Sequence, residues 1–543
     1  MGVETVESGQ TAQPMCSIAG IIGGTGVQRM LDAQRHRAPD ESGIFRAEGI
    51  ELGMGRLAVV DLVSPGLAPY QEDHLVLCYN GEIYNYVELR GELQGRGWQF
   101  RTASDTEVLV KAWREWGAGM FARLNGMFAF ALYDTAARRL VLARDLAGEK
   151  PLYYAHRGAF LVFASEAKAI ARVIDTTRRE DRFAGAFQHC YVTTLWEGVE
   201  EVPPASYLLY DLRTSRGTLT TYWELQPRRI DPQTAEEELE ALLEDAVRLQ
   251  IRSDVPYGLY ASGGLDSSLL SSLHAFEHQF YVDQADPGLE AQFVDTIDRV
   301  LWHLDFPVGS FGLFGIWKLA EAASRKVKVV LSGEGADELF GGYIRYLPIA
   351  REYELRQHLP SYAYLFGRHF RDDYLTAFAR LTCRNGDLDY VRERLRPFFS
   401  RFDDPITAMG FADFKLILPS LLQMEDRMAA AFGLENRCPF LDRRIIEFAF
   451  SLPPTMKISQ LQQKVLLRRV AERRGVTEPL RKEKMGLAIP YNRWRHQPGW
   501  DRTHYVQFLK DRWSALDLRE SAPAVRRMSG PPASAHHTVA SGA

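Results

Sequence analysis

The feature that most constrains this 543-residue chain is a glycine- and serine-rich turn at residues 260–268. An apolar run at 255–259 precedes the turn and predicts a buried strand, and the apolar residues at 269–273 predict the first turns of a helix. A strand, a tight turn and a helix in this order direct backbone N–H groups and the helix dipole at one point, which is typical of an anion-binding site. The alternative is an ordinary serine-glycine turn that caps a helix.

The side chains of this turn favour a nucleotide over a simple cap. The hydroxyl groups of Ser262, Ser267 and Ser268 can donate to phosphate, whereas Asp266 would repel phosphate unless a divalent cation lay between them. The turn lacks the Gly-Lys-Ser/Thr of a Walker motif. It resembles the S-G-G-x-D-S pyrophosphate loop of ATP-pyrophosphatases, which adenylate a substrate and release pyrophosphate.

Size and composition exclude several classes of protein. The chain is too long for one ordinary core, so we expect at least two domains. A net charge of −5, from 65 basic and 70 acidic residues, gives no reason to expect a nucleic acid or an anionic membrane as partner. No apolar run approaches the roughly 20 residues of a membrane span, and the first fifteen residues lack an apolar signal region. A homodimer is an open alternative to a monomer.

The cysteine pattern predicts a reduced cytoplasmic protein without a zinc site, because the five cysteines are scattered and never spaced as C-x-x-C. They are Cys16, Cys78, Cys190, Cys383 and Cys438.

The beginning of the chain is ambiguous when each motif is taken alone. Residues 1–15 are polar and predict a disordered leader. A lone cysteine at the start of a strand, such as Cys16, is by base rate a small core residue. The dipeptide at 80–81 is typical of a hairpin turn. The sequence S-D-T-E at 104–107 predicts a helix cap.

Short apolar strands with few helices predict two packed sheets with helices outside them. We expect strands at 126–134 and 140–145 to pair, and those at 150–154 and 161–166 to continue the same layer.

Six segments in order resemble the glutaminase domain of glutamine-hydrolysing asparagine synthetases, which belongs to the N-terminal-nucleophile class. They are C-S-I-A-G at 16–20, R-H-R-A-P-D-E-S-G at 35–43, R-L-A-V-V-D at 56–61, Y-N-G-E-I-Y-N at 79–85, S-D-T-E at 104–107 and R-D-L-A-G-E-K-P-L-Y at 144–153. The resemblance covers nearly all of residues 16–170 and implies an N-terminal-nucleophile αββα sandwich.

The resemblance also implies roles for individual residues. Cys16 would be the nucleophile and its freed α-amino group the base, since an α-amine titrates near ~7.7–8.0 and is partly neutral at working pH. Asn80 and Gly81 would form the oxyanion hole. Arg56 would hold the α-carboxylate of glutamine in a fork, and Asp105 would hold its α-ammonium group. Glu82 would line the same pocket, and Asn80 would also bind glutamine.

Two residues at the beginning depart from the family pattern. Cys16 is not residue 2, so its α-amine exists only if residues 1–15 are removed or translation begins at Met15, which is the simpler alternative. Ser17 stands where the family usually has glycine.

The second half of the chain predicts a parallel α/β sheet followed by a helical part. An amphipathic helix, two strands and an intervening helix follow a domain boundary near residue 225. In a parallel sheet the turns after the strands lie together at the carboxyl edge, where ligands bind. The elements are expected at 236–250, 278–282, 293–304 and 327–331.

A second glycine-rich turn, S-G-E-G-A-D-E-L-F-G-G-Y at 332–343, follows the last of these strands. Alone it could be a solvated acidic turn, but it is very similar to the second ATP motif of asparagine synthetases. The resemblance implies that Asp266 and Asp337 hold Mg²⁺. It also implies a set of residues that contact ATP, in which the backbone at Tyr260 and Val282 lies beside the adenine. The set is Tyr260, Ser262, Gly263, Gly264, Leu265, Asp266, Ser267, Val282, Ser332, Gly333, Glu334 and Lys464.

The region between the two ATP turns also departs from the family. Asp337 follows Asp266 by only 71 residues, and a helix and a strand usual after the second strand are missing from the pattern. The sequence L-D-F-P at 304–307 stands where the family often has L-D-E-P. The shortened segment at 283–307 favours an unusual acceptor.

The remaining chain is predicted to be mainly helical. The segments M-E-D-R-M at 424–428 and L-E-N-R-C-P-F-L-D at 434–442 resemble a family run, and the alternative is a buried ion-pair corner. Lys464 matches the family's lysine near the departing pyrophosphate, although a lone helical lysine is usually solvated. Residues 521–543 predict a disordered tail.

The hypothesis is an ATP- and Mg²⁺-dependent ligase with a glutaminase domain at 16–225 and a synthetase domain at 226–520. Its substrates would be glutamine and a small carboxylate, with aspartate as the default. Two alternatives stay open. One is a homologue that forms an amide, a hydroxamate or a β-lactam with another nucleophile, and the other is a glutaminase or scaffold with a degenerate synthetase half.

Overall fold

A computed structural model of the chain describes residues 3–5, 16–38, 40–179, 194–283, 286, 288–305, 310, 312–359, 361, 373–383, 388–481 and 502–520. The predicted tail and most of the predicted leader lie outside the described residues, as do Phe306 and Pro307. The strands are β1 Val3–Thr5, β2 Ser17–Ile22, β3 Glu41–Ala47, β4 Ile50–Arg56, β5 Tyr70–Glu72, β6 Leu75–Ile83, β7 Gly126–Asp134, β8 Arg139–Arg144, β9 Tyr153–Arg157, β10 Phe160–Ala164, β11 Glu200–Glu201, β12 Ser206–Asp211, β13 Arg216–Thr221, β14 Tyr257–Tyr260, β15 His278–Phe280, β16 Val329–Leu331, β17 Glu435–Arg437, β18 Ile458–Ser459 and β19 Gln462–Gln463.

The α-helices of the described residues fall into two groups, four in the first domain and the others in the second. They are Val27–Ala33, Tyr86–Gly95, Asp105–Trp116 and Ala167–Ile170, then Ala235–Gln250, Leu265–Leu273, Leu289–Leu304, Leu313–Ala323, Ala336–Phe340, Leu347–His358, Tyr374–Thr382, Leu388–Phe399, Pro405–Leu416, Leu418–Ala430, Arg443–Ala449, Val465–Arg473 and Arg502–Ala515. Short 3-10 helices lie at Arg35–Arg37, Gly117–Ala122, Ile344–Tyr346, Pro439–Leu441, Pro454–Met456 and Pro479–Arg481.

Two antiparallel sheets packed face to face build the first domain. The first has the order β1-β3-β4-β2-β10-β9-β11 and the second the order β13-β12-β8-β7-β6-β5. Their facing side chains, such as Ile18 and Leu52 from the first sheet and Cys78 and Ala131 from the second, are fully buried and belong to one core. The helix Val27–Ala33 covers the outer face of the first sheet, and two helices cover the second. The predicted αββα sandwich is confirmed.

The assignment of strands to layers was partly wrong. β7 pairs with β8 as expected, but β9 and β10 lie in the other sheet, where β10 pairs with β2. A buried strand has the same apolar pattern in either sheet, so the pattern cannot distinguish the two layers. The sequence also did not predict β1, which pairs with β3 and lies within the polar leader.

The second domain contains the predicted parallel sheet. β14 lies between β15 and β16, and β17 pairs with β16 at the edge, all in parallel register. The helices Ala235–Gln250 and Val465–Arg473 contact each other, and the helix Leu418–Ala430 packs on β17. A further cluster of apolar side chains joins the helices between residues 347 and 416, so the helical C-terminal part is also confirmed. Among the described residues, no single helix is long and apolar enough to cross a membrane, although the bent pair Pro405–Leu416 and Leu418–Ala430 meets the length and composition test together.

Buried ion pairs join the two domains. The Arg37 guanidinium group contacts Asp426 at 2.8 Å and Glu166 at 3.2 Å. Glu166 also forms ion pairs with Arg427 and Lys168, each at 2.6 Å. Burial opposes the ionised form of Glu166, yet the surrounding cations hold its pKa well below the usual range. The predicted ion-pair corner at 424–428 is therefore confirmed, and its partners come from the first domain.

The loop after β8 is held by a single carboxylate. Asp145 accepts hydrogen bonds from five backbone N–H groups at 2.6–3.2 Å, those of Phe128, Ala147, Gly148, Glu149 and Lys150. Both carboxylate oxygens accept hydrogen bonds, so Asp145 fixes the backbone of residues 146–150, which lie at the domain boundary.

We predict that Asp145→Asn lowers the free energy of unfolding by about 2–3 kcal/mol, because an amide group offers one acceptor oxygen where the carboxylate offers two. Denaturant unfolding followed by tryptophan fluorescence measures this change. Asp134→Asn is the control, since the Asp134 carboxylate accepts one backbone N–H, from Ala137 at 2.7 Å. Equal losses in the two variants would contradict the role of Asp145.

Candidate active sites

A pocket in the first domain brings together five of the residues predicted to act on glutamine, Cys16, Arg56, Gly81, Glu82 and Asp105. The other lining residues are Met54, Leu57, Val59, Val60, Tyr79, Ser104, Thr106 and Glu435. Glu435 is the only one of these that belongs to the second domain, which therefore closes one wall of the pocket.

Cys16 lies directly before β2 at this pocket. Its Sγ accepts a hydrogen bond from the Leu57 N–H at 3.3 Å, and its carbonyl oxygen accepts one from Arg37 Nε at 3.2 Å. Burial raises the pKa of the Cys16 thiol to about 12. The thiol is thus protonated at neutral pH and needs a base before it can act as a nucleophile.

Asn80 and Gly81 lie inside β6, so the hairpin that the dipeptide alone would indicate is wrong. Gly81 has a φ of 143°, and a Cβ atom there would lie 2.1 Å from the Met127 carbonyl oxygen on β7. Only glycine fits this position. Among the described residues, Asn80 Nδ2 is buried without a hydrogen-bond partner. Asn80 is not among the residues that line the pocket around Cys16, but a buried donor without a partner is a suitable group for an oxyanion hole.

The two predicted recognition groups for the glutamine backbone are held rigidly. Arg56 Nη2 donates to the carbonyl oxygens of Val60 at 2.8 Å and Asp61 at 2.6 Å. Asp105 accepts from the Tyr79 hydroxyl at 2.7 Å and from the Ile83 N–H at 3.0 Å. The Ser104 side chain caps the helix that begins at Asp105, as its sequence predicts.

Two further carboxyl groups line this pocket, and sequence reasoning found only one of them. Burial, together with the charge of Asp105, raises the pKa of Glu82 well above its usual range. Glu435 was missed because it follows Glu82 by more than 350 residues along the chain. The buried Arg437 guanidinium joins the two, contacting Glu435 at 2.8 Å and Glu82 at 3.4 Å.

The second site lies where β14 and β16 end. The Ser262 N–H and hydroxyl group contact the Ser267 hydroxyl at 3.2 and 3.1 Å, Gly263 has a φ of 69°, and the helix begins at Leu265 after Gly264. A Cβ atom at Gly333 would lie 3.0 Å from Asp266 Cβ, so the two glycine-rich turns touch. The two residues expected beside the adenine also lie at this edge of the sheet. Tyr260 is the last residue of β14, and Val282 lies two residues after β15.

Two aspartates of this site converge on one cation. Lys464 Nζ lies 2.6 Å from Asp266 Oδ2 and 2.5 Å from Asp337 Oδ1. Burial disfavours the charged lysine, but the two carboxylates hold its pKa above the usual range. Lys464 was expected on a helix. It instead precedes the helix Val465–Arg473 with a left-handed φ of 54°.

These aspartates fit the predicted Mg²⁺ site. Their oxygens point at a single position that a cation, the lysine ammonium group, takes in this structure, and Mg²⁺ prefers carboxylate oxygens. In the described part of the chain no group of three or more His, Cys, Asp and Glu side chains could hold a metal ion. Mg²⁺ bound to two protein carboxylates is usual, with phosphate oxygens and water as the other ligands.

Two residues that contact the second turn, Glu425 and Asn436, were not recognised as part of the site from the sequence, whereas Ser332 and Glu334 of the turn were. Glu425 accepts hydrogen bonds from the Ser332 hydroxyl at 2.8 Å and from Asn436 Nδ2, and the Ser332 N–H donates to the Arg437 carbonyl oxygen at 2.9 Å. Burial raises the pKa of Glu425 to about 7, against the opposing effect of its hydrogen bonds. Glu334, on the same turn, also interacts with Glu425.

Comparisons with known proteins agree with this two-site arrangement. A glutamine amidotransferase domain model matches residues 15–223, and an asparagine synthase model matches residues 238–287 and 288–533. The putative asparagine synthetase [glutamine-hydrolyzing] of Mycobacterium tuberculosis H37Rv is 31% identical, over 86% of this chain and 84% of its own. Asparagine synthetase [glutamine-hydrolyzing] 1 of Bacillus subtilis is 30% identical over the same shares.

A solved structure of glutamine phosphoribosylpyrophosphate amidotransferase from B. subtilis, complexed with ADP and GMP, matches 45% of this chain and 60% of its own, with a TM-score of 0.29 and 17% identity. The two family models and the relatives that cover 86% of the chain show the family. The chain belongs to the glutamine-hydrolysing asparagine synthetases, ATP-dependent ligases that form an amide with nitrogen from glutamine.

Proposed function

We propose that the enzyme releases ammonia from glutamine at the Cys16 pocket and uses it at the Asp266–Asp337 site to amidate L-aspartate. The observation that carries this proposal is the position of β17. Its residue Glu435 lines the first pocket, while Asn436 hydrogen-bonds with the Glu425 and Ser332 side chains of the second site. One three-residue strand thus contributes to both sites.

In the first half-reaction the Cys16 sulfur bonds to the amide carbon of glutamine. The α-amino group of Cys16 takes the thiol proton, as a base that exists when residues 1–15 are absent, and passes it to the leaving nitrogen. Asn80 Nδ2 and the Gly81 N–H stabilise the oxyanion, while Arg56 and Asp105 hold the glutamine α-carboxylate and α-ammonium groups. The C–N bond breaks to give ammonia, and water then hydrolyses the thioester to glutamate.

In the second half-reaction a carboxylate oxygen of the acceptor bonds to the α-phosphorus of ATP, and pyrophosphate leaves. The two glycine-rich turns surround the phosphates, with the adenine near Tyr260 and Val282. Asp266 and Asp337 would hold Mg²⁺, which neutralises phosphate charge when bound. Lys464 then pairs with the departing pyrophosphate. Ammonia bonds to the acyl carbon, AMP leaves as the C–O bond breaks, and the nitrogen releases one proton to water to give the amide.

A degenerate synthetase half is not favoured. Lys464 Nζ lies within 2.6 Å of a carboxylate oxygen of both Asp266 and Asp337, and Ser332 and Glu425 are buried in a hydrogen-bonded cluster. The acceptor is proposed to be L-aspartate because the related enzymes are asparagine synthetases. Because the reaction consumes ATP and glutamine and the cysteine pattern is that of a reduced protein, we place the enzyme in the cytoplasm.

Cys16→Ala should abolish glutamine hydrolysis but leave asparagine synthesis from ammonium chloride within about twofold of the parent enzyme, because only the first site loses its nucleophile. Glutamate and asparagine are measured in parallel by amino-acid analysis. Cys78→Ala is the matched control, since Cys78 is a buried core cysteine of the same domain outside the pocket. Glutamine-dependent synthesis that survives Cys16→Ala would refute the proposed nucleophile.

The form of the chain that begins at Cys16 should hydrolyse glutamine, whereas the form that retains residues 1–15 should not. In the longer form the Cys16 nitrogen is part of a peptide bond and cannot act as a base. Burial raises the pKa of the Cys16 thiol to about 12, so the thiol stays protonated without that base. Intact-mass analysis after reaction with an electrophilic glutamine analogue shows which form is labelled. Equal labelling of both forms would mean that another group deprotonates Cys16.

Gly342→Ala should lower ATP-dependent synthesis by about 100-fold, because small misplacements at a catalytic site have effects of that size. A Cβ atom at Gly342 would lie 1.8 Å from Asp337 Oδ1 and 2.2 Å from Lys464 Cε. Pyrophosphate release measures synthesis, and glutaminase activity should be unchanged.

Gly91→Ala is the control for this substitution, since a Cβ atom at Gly91 would meet no atom within 4 Å. Normal pyrophosphate release by Gly342→Ala would contradict the assignment of Asp337 and Lys464 to the ATP site.

A further inference from the structure

A buried carboxyl group lies between the two sites, and neither half-reaction uses it. Glu149 belongs to the loop that Asp145 holds, and its side chain is 8% exposed at the domain boundary. Within the described residues, its Oε2 is buried without a hydrogen-bond partner. A buried polar atom without a partner is costly, so its presence requires a physical reason.

On the side of the synthetase site, Glu149 contacts the residue that follows β17. The Cys438 thiol lies close enough to the Glu149 carboxyl group to lower the pKa of that group. Cys438 Sγ in turn lies 3.5 Å from the Ser332 hydroxyl and 3.6 Å from Asn436 Nδ2. Glu149 is therefore one side chain removed from the second glycine-rich turn.

On the side of the glutaminase pocket, Glu149 interacts electrostatically with Tyr84. The Tyr84 hydroxyl group is buried and, like Glu149 Oε2, has no hydrogen-bond partner in the part of the chain that the structure describes. The Arg437 guanidinium lies 5.6 Å from the centre of the Tyr84 ring and contacts Glu82 of the pocket. The polar groups thus form a buried series from Glu82 through Tyr84 and Glu149 to Ser332.

A small cavity adjoins Glu149 at the same boundary. Residues of the first domain, among them Gly126, Phe128 and Leu146, line it together with Leu441 and Arg443 of the second. Its volume of about 20 Å³ is enough for one molecule of the size of water or ammonia.

We propose that Glu149 binds ammonia in transit between the two active sites, with its unpartnered Oε2 accepting a hydrogen bond from an ammonia N–H. This proposal rests on the proposed function and deepens it, since it assigns a binding point to the shared intermediate. No covalent bond forms, and ammonia leaves Glu149 with the same protons with which it arrived.

The surroundings of Glu149 disfavour its charged form. Burial, together with the charges of Asp145 and Glu425, raises the pKa of Glu149 well above its usual range, while Lys150 and the Cys438 thiol oppose the shift. A carboxylate would favour ammonium, which has no lone pair with which to attack an acyl group.

Three variants of the full enzyme test the proposal. Glu149→Leu removes the acceptor oxygen, Glu149→Gln retains one without charge, and Glu72→Gln changes a glutamate of the same domain that is 9% exposed and paired with Lys111 instead. Each is assayed with glutamine, ATP and L-aspartate for the ratio of glutamate to asparagine. Asparagine synthesis from ammonium chloride is measured beside it.

Glu149→Leu should raise the ratio of glutamate to asparagine by about threefold to tenfold, as expected for one lost hydrogen bond. Glutamine hydrolysis and ammonium-driven synthesis should persist, which also shows that the variant folds. Glu149→Gln and Glu72→Gln should keep the parent ratio. An unchanged ratio in Glu149→Leu, or an equal rise in Glu149→Gln, would overturn the proposal.

A second measurement does not depend on the acceptor. Difference infrared spectra, recorded as ammonium chloride is added at a pH where some ammonia is free, should show a shift in the C=O stretch of a protonated carboxyl group. The shift should be missing in Glu149→Gln. A shift of equal size in this variant would overturn the proposal, whereas a parent enzyme that makes no asparagine but shows the Glu149 signal would refute only the proposed function.

Discussion

The buried guanidinium group of Arg437 is the interaction on which the arrangement of the two sites depends. It donates to the carbonyl oxygens of Gln250 at 2.6 Å and Arg252 at 2.8 Å, and it contacts Glu435 and Glu82. Its side chain is fully buried, so removing one partner from such a pair would cost about 3–5 kcal/mol. One cation thereby joins the segment before β14, the edge strand β17 and the glutamine pocket.

The same constraint explains how β17 can serve two pockets. Side chains alternate along a strand, so Glu435 and Arg437 point to one face and Asn436 to the other. Glu435 lines the Cys16 pocket, and Asn436 reaches Glu425 and Ser332. The backbone of β17 pairs with β16, which ends at the second glycine-rich turn. The distance between the sites is therefore set by the parallel sheet itself and not by a flexible linker.

How far the sequence predicted this arrangement depends on how local the determining contacts are. Ser104 was recognised as a helix cap, and the strand–turn–helix around Asp266 was recognised from consecutive residues, because these structures form within a few positions. Glu435 and Glu425 were missed as site residues, since only the folded interface brings them to the two pockets. β9 and β10 were placed in the wrong layer because burial gives both sheets the same apolar pattern.

Lys464 shows a different limit of the sequence. A lone lysine on a helix is usually solvated, and only the family resemblance assigned Lys464 to the ATP site. In the structure Lys464 has a left-handed φ of 54° directly before the helix begins and is buried. There its ammonium group neutralises two aspartates that would otherwise repel each other. In the proposed reaction Asp266 and Asp337 would hold Mg²⁺, and Lys464 would then be able to pair with the phosphates. The motif identifies the three residues, and only the structure shows that they satisfy one another.

Two buried glutamates at the domain boundary, Glu166 and Glu149, have opposite electrostatic surroundings. Glu166 forms ion pairs with Lys168, Arg427 and Arg37 and hydrogen-bonds with His36, and these neighbours hold its pKa well below the usual range despite burial. Lys150 lowers the pKa of Glu149, but burial and the carboxylate of Asp145 outweigh it and raise that pKa. Glu166 is thus ionised and stabilises the interface, whereas the surroundings of Glu149 disfavour its charged form and, within the described residues, leave its Oε2 without a hydrogen-bond partner. A conduit for a neutral base requires the second kind of environment, because a fixed charge there would retain the protonated form of the nitrogen that the synthetase site must receive.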